Sequence, residues 1–119
     1  MSDHNHTGTI WGNVGTGGVN RHSDPTQNPA TIITPSLHAG QNLIVLCYAL
    51  GDPESFANPT DLAHPFSSNA WDFVVTSDQD SGSYVADVFV DTGGDIRQQL
   101  GTQGTCDALR QRLMHSPLG

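Results

Sequence analysis

The chain has 119 residues, enough for one domain and too few for two comfortable cores. Its net charge is −8, from 12 acidic residues against 4 basic ones, all arginine. That surface repels nucleic-acid phosphates and anionic membranes, so neither is an expected partner. Apolar residues make up 35%, and the 13 glycines bring the chain close to ordinary globular composition, which points to a folded, loop-rich protein. The longest apolar run, "LIVLCYAL" (Leu43 to Leu50), is far short of a membrane span. The opening "MSDHNHTGTI" has neither a charged n-region nor an apolar h-region, so it does not read as a signal peptide. The 2 cysteines, Cys47 and Cys106, permit one disulfide without requiring it.

In chain order, residues 1–8 read as a polar, flexible tail. "TIWGNV" (Thr9 to Val14) reads as a short strand, followed by the polar loop "GTGGVNRHSDPTQNP". A second short strand falls around Thr31 to Thr34, with a turn ending at Gly40. "QNLIVLCYAL" is the clearest strand, a β-branched apolar run with glycine on both sides. From Gly51 to Ala70 the residues are small, polar and proline-rich, the signature of a long connecting loop. "AWDFVVTS" resumes as a strand, "DQDSG" makes a turn, and "SYVADVFVDTGG" reads as a strand broken near Ala86–Asp87. The last segment is mildly helical, with Leu109, Leu113 and Met114 on one face and Asp107 as a plausible cap. Five or six short strands with Gly/Pro-rich connections predict a small antiparallel barrel or sandwich. A cross-link between the central strand and the C-terminal segment, closing about 60 residues, would contribute about 4 kcal/mol to so small a core.

Several stretches together resemble bacterial SH3-like domains. "GGVNRHSDPTQNPATIITPSLHAGQNLIVLC" is similar to the opening of that family, with Asn20, His22, Ser23, Asp24 and Pro25 at its loop positions and Leu37 to Gly40 at its turn. His22 stands where the family usually has Arg, and Asp24 where it has Gly. "NAWDFV", with Trp71 and Val74, resembles the family's Trp strand. "SGSYVADVFVDTGG", with Gly82, Tyr84, Val85, Phe89 and Val90, resembles its closing strand. The resemblance implies an all-β fold: a small SH3-like antiparallel barrel of five to six strands over residues 9–106, with a long inserted loop and a short C-terminal helix over residues 107–119. The form with a cysteine on the second apolar strand and another at the end is similar to secreted actinobacterial members, which implies that Cys47 pairs with Cys106.

Few residues invite chemistry. The glycines of "GNVGTGG" suggest a phosphate loop, but no helix pattern or lysine follows, so turn geometry is the better reading. Removal of Met1 would leave Ser2-Asp3-His4, whose amine, amide nitrogens and imidazole form a square-planar set for Cu(II) or Ni(II), with His6 able to assist. "DQDSGS" places Asp78 and Asp80 as in a calcium loop, but Phe89 stands where the bidentate Glu belongs. Cys47 lies among apolar residues, where a thiolate would be desolvated, so a disulfide or two buried thiols outweigh a catalytic cysteine. The histidines are scattered singly, and neither an enzyme nor a cofactor is expected. Trp71 and Phe89 read as core. Trp11, Phe56 and Phe66, outside the clearest strands, are the candidates for exposed ligand contact, together with Asn20, Arg21, His22 and Asp24 in the first loop.

The resemblance implies a non-enzymatic binding module for a cell-envelope component such as peptidoglycan, or for a protein partner. Contact is expected in the groove between Asn20–Asn28 and Asp52–Ser68, and the acidic charge favours amine-bearing peptides. The alternative is a structural component of a phage particle or secretion apparatus. The matching locations are the cell envelope or extracellular space, if the chain is processed from an exported protein, or a virion.

Overall fold

The computed structural model describes residues 6–11, 18–55, 67–76, 81–92 and 96–114. Its strands are β1 (His6–Ile10), β2 (Val19–His22), β3 (Ile32–Leu37), β4 (Asn42–Ser55), β5 (Ser67–Val75), β6 (Ser83–Ala86) and β7 (Val90–Asp91). Two helices follow, α1 (Ile96–Leu100) and α2 (Cys106–Met114). The strands form one seven-stranded sheet in the order β3-β2-β6-β5-β4-β1-β7, and every pairing between them is antiparallel.

The all-β class is as expected, but the barrel is not closed, because among the described residues the edge strands β3 and β7 do not pair. A two-residue β7 offers almost no ladder, and Pro35 in β3 has no N–H to give one. There are seven strands rather than five or six. One of the added strands, β2, lies inside what reads as loop. Its pattern of buried Val19, exposed Asn20 and buried His22 is strand-like but too short and polar to stand out.

β1 also differs from expectation. It starts at His6 rather than Thr9, inside the polar N-terminal segment. Its inward positions are Gly8 and Ile10, so half of its alternating pattern carries no side chain. Glycine is needed there, because a Cβ on Gly8 would lie 2.8 Å from Val90 Cγ1. The break near Ala86–Asp87 is present: a 3-10 turn at Asp87–Phe89 separates β6 from β7.

β4 organises the molecule. Leu43 and Val45 point into the main core; a bulge between Val45 and Cys47 then reverses the phase, so that Cys47 lies on the opposite face and Tyr48 turns inward. The strand runs five residues past its expected end at Leu50, through Pro53 to Ser55. A second irregularity in the β4–β5 ladder between Leu50 and Glu54 accommodates that proline. The main core gathers Ile10, Leu37, Val45, Val74, Val85 and Ile96, among others, from all seven strands and α1. A smaller cluster of Trp71, Ala86 and Val88 lies beside it.

The C-terminal segment is joined to this framework covalently. Cys47 and Cys106 form a disulfide, with their Cα atoms 4.8 Å apart. Just before it, Thr105 bridges Tyr48 in parallel. The α2 cap is Thr105 rather than Asp107: the Ala108 N–H donates to Thr105 Oγ1 at 3.1 Å. Asp107 sits in the first helical turn and pairs with Arg110 at 3.3 Å.

Candidate functional site

A cleft of about 400 Å³ opens between β2, the end of β4 and the Asp87–Phe89 turn. Its lining includes Asn20, His22, Gln27, Glu54, Trp71 and Phe89. Trp71 is 1% exposed and forms the floor. Its indole N–H donates to the Asp52 carbonyl at 2.8 Å, which fixes the ring plane. His22 stands edge-on to that ring, with centroids 5.5 Å apart and planes at 89°. The Thr31 hydroxyl has one proton and donates it to the Asn28 carbonyl at 2.7 Å. In the 2.8 Å contact between His22 Nδ1 and Thr31 Oγ1 the imidazole therefore donates, which fixes Nδ1 as the protonated nitrogen.

The loop at residues 23–28, which forms one wall of the cleft, is clasped to β4. The Asp52 carboxylate accepts from the Thr26 hydroxyl at 2.7 Å and from the Gln27 N–H at 2.9 Å. The Thr26 hydroxyl, then the Gln27 N–H, hold the Asp52 carboxyl below its ordinary pKa, against a small opposing effect of desolvation. The Asp52 N–H donates to the Pro25 carbonyl at 3.1 Å, and Gln27 Nε2 donates to the Pro53 carbonyl. Gly51 makes the approach possible, since a Cβ there would lie 1.8 Å from the Pro25 oxygen.

Of the expected contact residues, Asn20 and His22 do line this cleft. Arg21, one position out of phase on β2, instead places Nη1 3.5 Å from Ser83 Oγ. Asp24 lines a different groove, about 470 Å³, with Tyr48, Leu50, Tyr84, Asp107 and Arg110. Burial raises the Tyr84 phenol pKa there; Arg110 opposes the rise, while Asp24 and Asp107 add to it. Trp11 is not an exposed contact: it is only 8% exposed, and its backbone N–H donates to the Phe89 carbonyl at 3.2 Å. His6 Nε2 donates to the Thr92 carbonyl at 2.8 Å, which leaves Nδ1 as the ring nitrogen with a lone pair. Ser2, Asp3, His4, Phe56, Phe66, Asp78 and Asp80 lie outside the described residues.

No protein-family model matches this sequence, and no curated protein or solved structure matches it.

Gln27 and Glu54 fall within the two segments expected to flank the groove, but the sequence does not single them out, because each is an ordinary polar residue made local by the clasp. The sequence reading also missed a pair of acids in the interior. Asp72 and Asp87 are both 0% exposed. Burial first, then the Asp87 carboxyl beside it, raise the Asp72 pKa well above the ordinary aspartate value. The signal was available: Asp72 occupies an inward position of β5 between buried Ala70 and Val74.

Proposed function

We propose that this chain is a non-enzymatic recognition module of the bacterial SH3-like kind, whose cleft takes an amine-bearing peptide of a cell-envelope polymer such as peptidoglycan. The cleft itself carries the reading. It has an aromatic floor in Trp71 and Phe89, amides from Asn20 and Gln27 at its walls, and, among the described residues, the Glu54 carboxylate as its one acidic lining residue. Among the described residues no lysine or arginine lines it, so an ammonium group meets attraction without competition, within a molecule of net charge −8. The amides supply the donor and acceptor pairs that a peptide backbone requires.

The polarity of the His22–Thr31 contact favours binding over catalysis. An imidazole that donates to a hydroxyl cannot take that hydroxyl's proton, so Thr31 is not an activated nucleophile. The Cys47–Cys106 disulfide is compatible with an extracellular setting. Among the described residues no helix is long and apolar enough to cross a membrane.

Sedimentation with purified insoluble peptidoglycan tests the proposal. The chain should co-pellet at about 0.15 M salt, and Glu54→Gln should weaken the pelleting several-fold. A chain that stays in the supernatant, and forms a defined oligomer by light scattering, would overturn this reading in favour of a structural role in a larger assembly.

A further inference from the structure

Beneath the cleft lies a group that simple recognition does not require. Asp72 is an inward residue of β5, opposite Val85 on β6 and Tyr48 on β4. Asp87 opens the 3-10 turn that follows β6. Both side chains are sealed from solvent. Among the described residues no hydrogen-bond donor reaches either oxygen of Asp72. Two ionised carboxylates offer only acceptors, so they cannot bond one another and would repel in a dry interior. One proton between them supplies the missing donor and removes a charge.

We infer that Asp72 and Asp87 share one proton, and that this proton latches the Asp87–Phe89 turn onto β5 and so sets the floor of the cleft. The chain connectivity makes the coupling direct. Trp71 precedes Asp72, Ala86 precedes Asp87, and Trp71 and Ala86 are register partners across β5 and β6. Phe89, the last residue of the turn, also lines the cleft. Loss of the proton places two negative charges directly behind that floor.

The ionisable groups on the surrounding elements are Tyr48, Asp52 and Glu54 on β4, Tyr84 on β6, Asp91 on β7, Arg97 on α1 and Arg21 and His22 on β2. Tyr48 gives its hydroxyl to the Gly101 carbonyl at 3.3 Å, and the Tyr84 ring packs on Phe73. The Asp72 carboxyl responds to burial and to Asp87. The sign follows from linkage. The folded chain keeps a proton that the unfolded chain, with an ordinary Asp72 at 3.8, releases. Stability therefore falls as pH rises above the ordinary carboxylate range, the reverse of a salt-bridged aspartate.

The consequence for ligand binding rests on the cleft being the binding site, but the latch is tested without any ligand. Thermal unfolding of the disulfide-bonded chain is compared at about pH 5 and about pH 8, for wild type and Asp72→Asn. The asparagine amide replaces the shared proton with a permanent donor. Wild type should lose at least about 5 °C in Tm across that interval, and the variant less than half of its loss. Equal losses in the two proteins would overturn the inference. Carbon-13 NMR of the wild-type aspartate carboxyls gives a second readout that needs no variant. One signal of the pair should keep its protonated shift at about pH 6, where ordinary aspartates are ionised. Normal titration of both would equally overturn the latch. Neither readout involves peptidoglycan, so failure of the latch and failure of the cleft reading remain distinguishable.

Discussion

From Asn42 to Tyr48, β4 buries alternate side chains in the main core and is tied to α2 by the disulfide. From Leu50 to Ser55, the same strand leaves the core and is held by hydrogen bonds to the loop at 23–28 and to the Trp71 indole. Apolar burial is non-directional and scales with area, so the first half supplies stability. The bonds of the second half each contribute about 1 kcal/mol net, but they are directional, so they supply position. The cleft stands on the second half, where position matters more than strength.

The largest expected effect breaks the first half. Replacing Cys47 and Cys106 by serine frees a loop of sequence separation 59. The expected loss is about 4 kcal/mol in urea unfolding. A loss below about 1 kcal/mol would mean that α2 is held mainly by packing. Next comes the contrast along one strand. Leu43→Ala should cost about 2–5 kcal/mol, since Leu43 is 2% exposed. Leu50→Ala, at 58% exposed, should change stability by less than about 0.5 kcal/mol. Similar costs at the two positions would erase the distinction between the halves.

The remaining two changes probe position. Gly51→Ala puts a methyl against the Pro25 carbonyl and should cost about 1–3 kcal/mol by displacing the loop. The Trp71 indole N–H signal should move in the same variant, because its acceptor is the adjacent Asp52 carbonyl. A stable variant with an unmoved indole signal would show that the clasp does not set the floor. The smallest effect concerns acid. The Asp52 carboxyl is held below its ordinary pKa, so its contribution is full above the ordinary carboxylate range. That contribution is lost as pH falls through the lowered value. The Gln27 amide signal should shift with that acid titration, and Asp52→Asn should abolish the shift.

Legibility in the sequence followed the same division. The apolar half of β4, the strand containing Trp71 and the break before Asp87 all stand out as β-branched or aromatic runs, and each is found in place. The start of β1 and the whole of β2 were hidden because their inward positions include glycine and histidine rather than large apolar residues. The far half of β4 was hidden by Pro53, which reads as a loop residue unless the strand is known to bulge there. In the site, Asn20 and His22 were legible from loop composition. Glu54 and Gln27 were not, because only the tertiary clasp through Asp52 brings them together. Trp11 misled for a related reason: periodicity alone does not distinguish an aromatic beyond a strand end from one folded beneath it.

The cleft reading is tested most directly by amide chemical-shift mapping of the nitrogen-15-labelled chain with a soluble disaccharide-peptide fragment of peptidoglycan. Shifts should concentrate on the amides of Asn20, Gln27 and Glu54 and on the Trp71 indole N–H, and Glu54→Gln should weaken them. Shifts confined to the groove around Tyr84 and Arg110, or none at saturating fragment, would contradict it.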